Sequence, residues 1–241
     1  MKKQIVTIAA LAMSLNMFAQ QWPVPSQEAK PGTRWWWLGS AVTENDLKWN
    51  LRQYADHGIG AIEITPIYGV QGNEKNNIPF LSPRYMEILR YVNAECKANG
   101  IEFDMATGTG WPFGGPWVPL DESASQMLII DTTIVGKKIK DLDLRPIEKK
   151  RKNTSLVGIY AFSEGKFLKI TTPLVEGTLT TKLPSKGTWR IIALYQKKGV
   201  MAVKRAAPGG AGLVIDHFDK QSVTNYLKHI EEAFEKTGTP Y

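Results

Sequence analysis

The predicted fold is built outward from the segment Ile101-Glu102-Phe103-Asp104-Met105-Ala106-Thr107-Gly108-Thr109-Gly110-Trp111-Pro112-Phe113-Gly114-Gly115-Pro116-Trp117. Its first part alternates apolar and acidic residues, which is typical of a half-buried β-strand. Its second part is a loop rich in glycine and aromatic residues. A carboxylate at a strand's end beside such a loop suits a sugar pocket, because the acid can bind hydroxyl groups and flat rings can pack against a pyranose. Glycines also let backbone approach a ligand closely. The alternative, a tight loop whose tryptophans fill a core, stays open.

Two further strands are predicted upstream, at residues 33–39 and 59–66, because both runs are rich in residues that suit a pleated, buried surface. A helix is predicted between them from Thr43, with Asp46 completing an imperfect capping box, to Gly58. A second helix is predicted from Ser82-Pro83 to Asn99-Gly100, since serine before proline starts helices and glycine ends them.

The resulting order, βαβαβ, is the signature of a parallel sheet. Glu63 and Asp104 are expected toward the carboxyl ends of their strands, which is the active-site face of a (β/α)₈ barrel. Doubly wound sheets place ligands at the same edge, but no G-x-G-x-x-G follows the first strand. The predicted fold class is therefore α/β: the N-terminal part of a (β/α)₈ TIM-like barrel, with an inserted antiparallel β subdomain.

The insertion is predicted from five short β-like runs, separated by Gly, Pro, Asn and Lys, at residues 126–135, 156–162, 167–170, 177–183 and 189–195. The predicted organisation is a signal peptide at 1–19, a first part of the barrel at 20–125, the β-rich subdomain at 126–203, and a return to the barrel at 204–241. Three barrel strands and three helices are fewer than eight of each, so the chain is expected to be the N-terminal portion of a longer enzyme.

The N-terminus predicts export, because a basic start precedes an apolar run and a small residue at the expected cleavage position, Ala19. The run is too short to span a membrane in the mature protein. A bacterial periplasmic or extracellular location follows. The single cysteine, Cys96, excludes an intrachain disulfide and is predicted to be a buried thiol on a helix.

The chain has a formal net charge of +7, which falls to +5 without Lys2 and Lys3. The remaining excess lies mainly in residues 137–140 and 149–152. These runs are expected to be aromatic-free, solvated loops, so no nucleic-acid partner is predicted.

Three tryptophans in a row, Trp35, Trp36 and Trp37, must point alternately to both faces of their strand. At least one is expected to reach a pocket, although packing of all three against helices is the open alternative.

A second polar cluster of interest contains Lys204, Arg205, Asp216 and His217, with helix capping and a surface ion pair as its alternative. Asp219 is expected to cap a last helix, and His57 and His229 are expected to be surface or packing histidines.

The motifs of serine esterases, zinc proteases, nucleotide-binding P-loops and zinc ribbons are absent from the sequence. The features left to indicate a function are the carboxylates, the aromatic residues and the predicted export. Glycoside hydrolysis uses two carboxyl groups that flank the scissile bond. The candidates are Glu63, Asp104 and Asp216.

Several motifs resemble glycoside hydrolase family 106. They are Trp-Pro-x-Pro at residues 22–25, Thr-Arg-Trp-Trp-Trp at 33–37, Glu-Ile-Thr-Pro-Ile-Tyr-Gly at 63–69, the glycine-tryptophan motif at 104–115, Lys-Arg-Ala-Ala-Pro-Gly-Gly at 204–210, and Asp-His-Phe at 216–218. The resemblance extends over most of residues 22–240, and the glycine-tryptophan motif is its most specific part.

This resemblance implies an exported bacterial α-L-rhamnosidase acting on plant polysaccharide: a large, calcium-assisted, inverting enzyme with a (β/α)₈ catalytic domain and β accessory domains. The family's catalytic glutamates are expected mostly beyond residue 241, and a calcium ligand is expected there as well. The residues expected to contact substrate are Trp35, Trp36, Trp37, Tyr68, Thr107, Thr109, Trp111, Arg205 and His217.

The sequence therefore predicts a secreted glycosidase whose partner is an oligo- or polysaccharide. Two other functions stay open. One is a non-catalytic carbohydrate-binding protein or an inactive fragment of such an enzyme, because aromatic loops can bind sugar without an acid–base pair. The other is a structural or adhesion fragment.

Overall fold

The computed structural model describes residues 23–147 and 150–238. The predicted signal peptide, 1–19, lies outside these residues. The described chain is a mixed α/β structure with one parallel and two antiparallel sheets. None of its described helices is long and apolar enough to cross a membrane.

The N-terminal half forms a three-stranded parallel sheet in sequence order, with β1 at Gly32–Leu38, β2 at Ala61–Ile67 and β3 at Glu102–Met105. Helices α1 (Glu44–Asp56) and α2 (Pro83–Asn99) connect the strands. The predicted βαβαβ order is confirmed, and the element limits agree to within about two residues.

Local capping explains why these limits could be predicted. The Thr43 side chain accepts a hydrogen bond from the Asp46 N–H before α1, and Ser82 accepts one from the Tyr85 N–H before α2. Gly100 ends α2 in the left-handed conformation, at φ +64°, which glycine adopts without steric cost.

Replacing Ser82 by alanine removes one of these caps. We expect the free energy of unfolding to fall by about 1 kcal/mol, because the Tyr85 N–H loses its acceptor at 3.2 Å. Chemical denaturation measures this change. Ser155→Ala, at an exposed serine on a strand, is the matched control and should leave stability within about 0.5 kcal/mol; equal losses in both variants would contradict the capping role.

One face of the parallel sheet packs against α1 and α2 and forms the main core. Its fully buried members are Trp37, Leu47, Leu51, Ile62, Ile64, Tyr85, Met86, Ile88, Leu89, Val92 and Cys96. Burial raises the pKa of the Cys96 thiol to about 12, with a smaller contribution from Glu95. The prediction of a buried structural thiol is confirmed.

The second half contains a four-stranded antiparallel sheet in the order β5-β8-β6-β7, with β5 at Ser125–Asp143, β6 at Thr154–Ser163, β7 at Lys166–Ile170 and β8 at Thr178–Lys198. Its buried face includes Ile159, Ala161, Leu179, Trp189, Ile191 and Ala193.

Two sequence expectations for this sheet are wrong. The five predicted runs form four strands, because the runs at 177–183 and 189–195 both belong to β8. The intervening Pro184 and Gly187 suggested a turn, yet the strand continues through them. Residues 137–140, expected in a loop, lie in β5, which continues past the irregular pairing between Gly136 and Lys138.

Between and after these sheets, β4 (Gly114–Gly115) pairs antiparallel with β9 (Leu213–Val214). Helix α3 (Lys220–Thr237) follows, and the Asp219 side chain caps it by accepting from the Ser222 N–H, as predicted. β9 does not join the parallel sheet. α3 packs near the main core through Ala233 and Phe234. The domain limits at 20–125, 126–203 and 204–241 stay predictions.

Candidate functional site

A row of charged residues crosses the face of the parallel sheet that the helices leave uncovered. Arg34 on β1, Glu63 on β2 and Asp104 on β3 are partners in the strand register. Side chains alternate across a strand, and the neighbours Ile62 and Ile64 are buried on the helix side. The three charged side chains therefore share the opposite face.

Glu63 is held by two partners. Its Oε2 accepts from the Arg34 guanidinium at 3.1 Å, and its Oε1 accepts from the Thr65 hydroxyl at 3.1 Å. The Arg34 and Glu63 side chains remain 47% and 36% exposed, so a ligand can reach both. With Asp104, they line a cavity of about 430 Å³.

The expectation that Glu63 lies near the end of its strand is wrong. It is the third of seven residues in β2, because the strand continues through Pro66 to Ile67. Pro66 is tolerated because the pairing of β2 with β3 stops at Ile64 and Met105, so no bond from Pro66 to β3 is needed. Asp104, the third of four residues in β3, lies beside Glu63.

Arg34 is a site residue that sequence reasoning missed, although it was visible as part of a motif. The signal that could have found it is its spacing: it precedes Trp36 by two residues, which places both on one face of β1. Its guanidinium carbon lies 5.5 Å from the centre of the Trp36 ring, which is within the range of a cation–π contact.

An aromatic pair extends the charged row. The rings of Trp36 and Trp111 are 5.5 Å apart at an angle of 60°. Their side chains are 42% and 40% exposed. Edge-to-face geometry of this kind stabilises the pair and leaves ring surface free for the C–H face of a sugar.

The other two tryptophans of the triplet do not reach this face. Trp37 is 1% exposed in the main core, and Trp35 packs against Tyr54 with ring centres 5.5 Å apart. The predicted alternation is confirmed. The proposed substrate contacts of Trp35 and Trp37 stay predictions, which this packing toward the helices does not favour.

The glycines of the two glycine-rich loops, 106–115 and 204–212, serve mainly to pack the loops against each other. Gly110 has φ +66°, and a Cβ there would overlap the Lys204 carbonyl oxygen and lie 2.8 Å from the Arg205 carbonyl carbon. A Cβ on Gly210 would overlap the Thr109 hydroxyl. The interpretation that glycines admit a ligand is corrected at these two positions, where they admit another loop.

Thr109 is consequently 0% exposed beneath Gly210, so its contact with substrate stays a prediction that this burial does not favour. Thr107 is half-buried, and its carbonyl accepts a hydrogen bond from the Tyr226 hydroxyl at 2.9 Å. Burial raises the pKa of Tyr226 to about 12, opposed by a hydrogen bond to the backbone of Gly114. Tyr226 therefore stays protonated at neutral pH and fixes the start of the aromatic loop.

Tyr68 and Arg205 meet at the rim of these loops. The Tyr68 N–H donates to the Arg205 carbonyl at 3.1 Å, and the Arg205 guanidinium lies 6.0 Å from the Tyr68 ring centre. Next to Arg205, Lys204 exchanges backbone hydrogen bonds with Trp111 at 2.8 and 2.9 Å. The rim therefore holds the Trp111 loop in place and presents an exposed cation.

The second polar cluster does not assemble as predicted. Asp216 is 14% exposed and pairs with Lys198 at 3.6 Å. It also accepts from the Ser125 hydroxyl and the Phe218 N–H. These contacts anchor the segment before α3, and they match the alternative of a local structural role rather than catalysis. His217 is exposed, and within residues 23–147 and 150–238 no hydrogen bond or ion pair is found between it and the charged row.

The arrangement does not by itself fit a calcium ion. Among the described residues, no group of three or more acidic, histidine or cysteine side chains could hold a metal. Glu63 and Asp104 are two carboxylates, and Glu63 is already neutralised by Arg34. Calcium prefers six to eight oxygen ligands, so further ligands would have to come from other residues.

Comparison with known proteins identifies the family. A sequence model of glycoside hydrolase family 106, described as alpha-L-rhamnosidase, matches residues 23–155, which is more than half of the chain. The chain belongs to glycoside hydrolase family 106. The resemblance inferred from the motifs is thereby confirmed.

Two relatives are similar to the family 106 chain. A protein from Formosa agariphila named "Putative beta-glucuronidase" is 24% identical over 257 residues, covering 89% of this chain and 22% of that protein. The structure of a rhamnosidase from Novosphingobium sp. PP1Y superposes with a TM-score of 0.60 at 14% identity, covering 88% of this chain and 37% of that one. The superposition shows a shared fold, and at this low identity it shows the fold alone. The family 106 chain thus spans well under half the length of both relatives.

The family match supports the two parts of the site unequally. It includes the charged row, the aromatic pair and the loop after β3. It ends inside the antiparallel sheet, before Lys204 and Asp216. Of the rim of the family 106 chain, Tyr68 therefore lies within the family match and Arg205 lies outside it.

His229 illustrates a histidine that packs, as predicted, rather than catalyses. Its ring stacks on Trp117 with centres 4.3 Å apart. Burial lowers its pKa, while Glu232 raises it and Lys236 lowers it by smaller amounts. Because the folded state holds the proton less tightly than the unfolded chain, stability should rise with pH through the unfolded pKa near about 6.5.

We therefore expect the free energy of unfolding of the wild type to fall as the pH is lowered from about 7.5 to about 5.5. His229→Phe keeps a ring against Trp117 without a titrating group, so its loss over the same interval should be smaller. Urea denaturation midpoints at the two pH values measure the difference. The same loss in both proteins would mean that His229 does not couple folding to protons.

Proposed function

We propose that the chain forms one wall of the active site of an exported glycoside hydrolase that cleaves α-L-rhamnosides. The observation that carries the proposal is the row of Arg34, Glu63 and Asp104 beside Trp36 and Trp111 on the uncovered face of the parallel sheet. Charged groups that orient hydroxyls, next to exposed ring faces, are what recognition of a pyranose requires.

We further propose that this sheet is the beginning of a (β/α)₈ barrel. Three parallel strands in sequence order, with helices on one face only, favour a barrel whose interior is the other face. β1 and β3 are the two edge strands of the described sheet, and β3 lies beside a cavity of about 450 Å³ whose lining includes Phe103, Met105 and Ile230. A barrel requires further parallel strands to pair with these edges.

Within this barrel, Glu63 and Asp104 are proposed to bind substrate hydroxyls. Neighbouring strands lie about 4.8 Å apart, whereas the two carboxyl groups of an inverting glycosidase are separated by about 6.5–9.5 Å to admit water. The backbones of register partners are thus closer than this separation, which favours an acid and a base on strands that are farther apart. At least one of the acid and the base is proposed to come from another strand, as the family resemblance implies.

The proposed reaction is hydrolysis with inversion, in which one carboxylic acid protonates the leaving oxygen and a second carboxylate activates water. Arg34 holds the Glu63 carboxylate in place, and Trp36 and Trp111 support the ring. Plant polysaccharide as substrate, export, and assistance by calcium are proposals from the resemblance.

The sugar is tested with aryl glycosides. The longest polypeptide that carries this chain should release nitrophenol from the α-L-rhamnoside and not from the β-D-glucuronide, the sugar in the name of the Formosa relative. Preference for the glucuronide would overturn the rhamnoside assignment. Sugar binding without release of either product would favour the second candidate function, a non-catalytic carbohydrate-binding protein. That candidate is favoured by the close spacing of Glu63 and Asp104.

A further inference from the structure

The positive charge of the chain is concentrated in one segment. Residues 126–203 contain fifteen lysines and arginines against six aspartates and glutamates, an excess of nine. Because the whole chain carries +7, all other residues together carry −2. The segment that includes most of the antiparallel sheet is therefore strongly cationic, whereas the segment with the charged row is not.

The solvent face of this sheet carries an aromatic shelf, formed by Tyr160 and Phe162 on β6 and Phe167 on β7. The Tyr160 and Phe167 rings stack with centres 5.7 Å apart at 18°, and Phe162 lies 5.2 Å from Phe167. Phe162 and Phe167 are 39% and 64% exposed, whereas the alternate residues Ile159 and Ala161 are buried on the other face. The shelf is therefore not part of the core.

Cations surround the aromatic shelf. Phe162 lies opposite Arg190 in the register, and Tyr160 lies opposite Lys169. Lys166 lines a cavity of about 440 Å³ together with Phe162, Phe167 and Arg190. Lys166 and Lys169 form no ion pair within the described part of the chain.

The cavity also offers hydrogen-bonding groups of the kind that bind sugars. Thr133, Ser163 and Thr188 line it, and its one acidic lining residue is Glu164, at the turn between β6 and β7. Arg190 is fixed by Asp131, whose carboxylate accepts from its Nε at 2.9 and 3.0 Å and from a terminal nitrogen. Arg190 is therefore held in one orientation at the edge of the cavity.

We propose that the aromatic shelf and its cations are a second carbohydrate site, which binds an acidic polysaccharide rich in uronic acid. The rings would stack on the pyranose, and Lys166 and Lys169 would meet its carboxylates. Arg190, which is paired with Asp131, would donate its remaining N–H groups to sugar hydroxyls. A neutral glycan would make no use of these cations. A chain of a glycoside hydrolase family meets glycans, which favours an anionic sugar over nucleic acid. The proposal does not depend on the role of the charged row.

The test is binding of oligogalacturonate to the full chain by isothermal titration calorimetry, with neutral dextran as the control ligand. We expect binding of oligogalacturonate only, weakened by salt. Phe167→Ala and the double variant Lys166→Gln/Lys169→Gln should each weaken it by about tenfold or more. Lys137→Gln/Lys138→Gln removes the same charge from exposed lysines of β5 and should change the affinity less than about twofold.

Three results would overturn the proposal. Equal losses in the two double-lysine variants would show attraction by net charge without a site. Tighter binding of single-stranded oligothymidylate would assign the surface to nucleic acid. No binding of oligogalacturonate by a chain that circular dichroism shows to be folded would mean that the aromatic shelf is not a site for acidic polysaccharide.

Discussion

Replacing Glu63 by glutamine is expected to lower kcat/KM for an aryl α-L-rhamnoside by about 10- to 100-fold in the longest polypeptide that carries this chain. The carboxylate accepts from Arg34 and Thr65, both at 3.1 Å, and hydrogen bonds to charged groups contribute about 1.5–3 kcal/mol. Glutamine retains the shape but loses the charge, so Arg34 loses its counterion and the sugar loses a strong acceptor.

Glu102→Gln is the matched control. Glu102 is exposed on the same face of the sheet, two residues before Asp104, and its register partner is Ala61 rather than Glu63. We expect its kcat/KM to stay within about twofold of wild type, since exposed charges contribute little. A Glu63→Gln enzyme with unchanged kcat/KM, or equal losses in both variants, would remove the charged row from the active site.

Replacing Gly110 by alanine is expected to cost about 2–4 kcal/mol of folding free energy, and to abolish any activity that needs the Trp111 loop. Two effects combine there. The residue has φ +66°, and its Cβ would overlap the Lys204 carbonyl oxygen. Strain at positive φ costs about 1 kcal/mol, and overpacking adds roughly 1–3 kcal/mol.

Gly100→Ala separates the two effects, because Gly100 has nearly the same φ, +64°, but nothing within 4 Å of its Cβ position. Its expected cost is therefore about 1 kcal/mol. Urea denaturation of both variants measures the difference. The contribution of Trp111 to the fluorescence is obtained by comparison with the same variants carrying Trp111→Phe. Similar costs at the two glycines would show that the loops yield and that close packing does not require glycine.

The parts of the fold that depend on local sequence were predictable. Thr43, Ser82 and Asp219 each cap a helix with their own side chain. Gly100 ends α2 without help from distant residues. Periodicity also located the three parallel strands, and their sequence order follows from the helices between them. The family followed from motifs within these same segments.

The parts that depend on long-range contacts were not predictable. Gly110 and Gly210 suggested access for a ligand, but they face a loop about a hundred residues away in the chain. Asp216 looked available for chemistry until its pairing with Lys198 and Ser125 was known. Pro66 suggested a strand's end, and only the short pairing of β2 with β3 explains why the strand continues.

Binding of sugar by the charged row and the tryptophan pair is tested directly by a crystal structure, with L-rhamnose bound, of the longest polypeptide that carries this chain. We expect the sugar on the uncovered face of the parallel sheet. A hydroxyl should lie within hydrogen-bond distance of Glu63 or Arg34, and a ring face of Trp36 or Trp111 should contact the pyranose. Rhamnose bound elsewhere, with the charged row and the tryptophan pair free of ligand, would show that this face is not the sugar site.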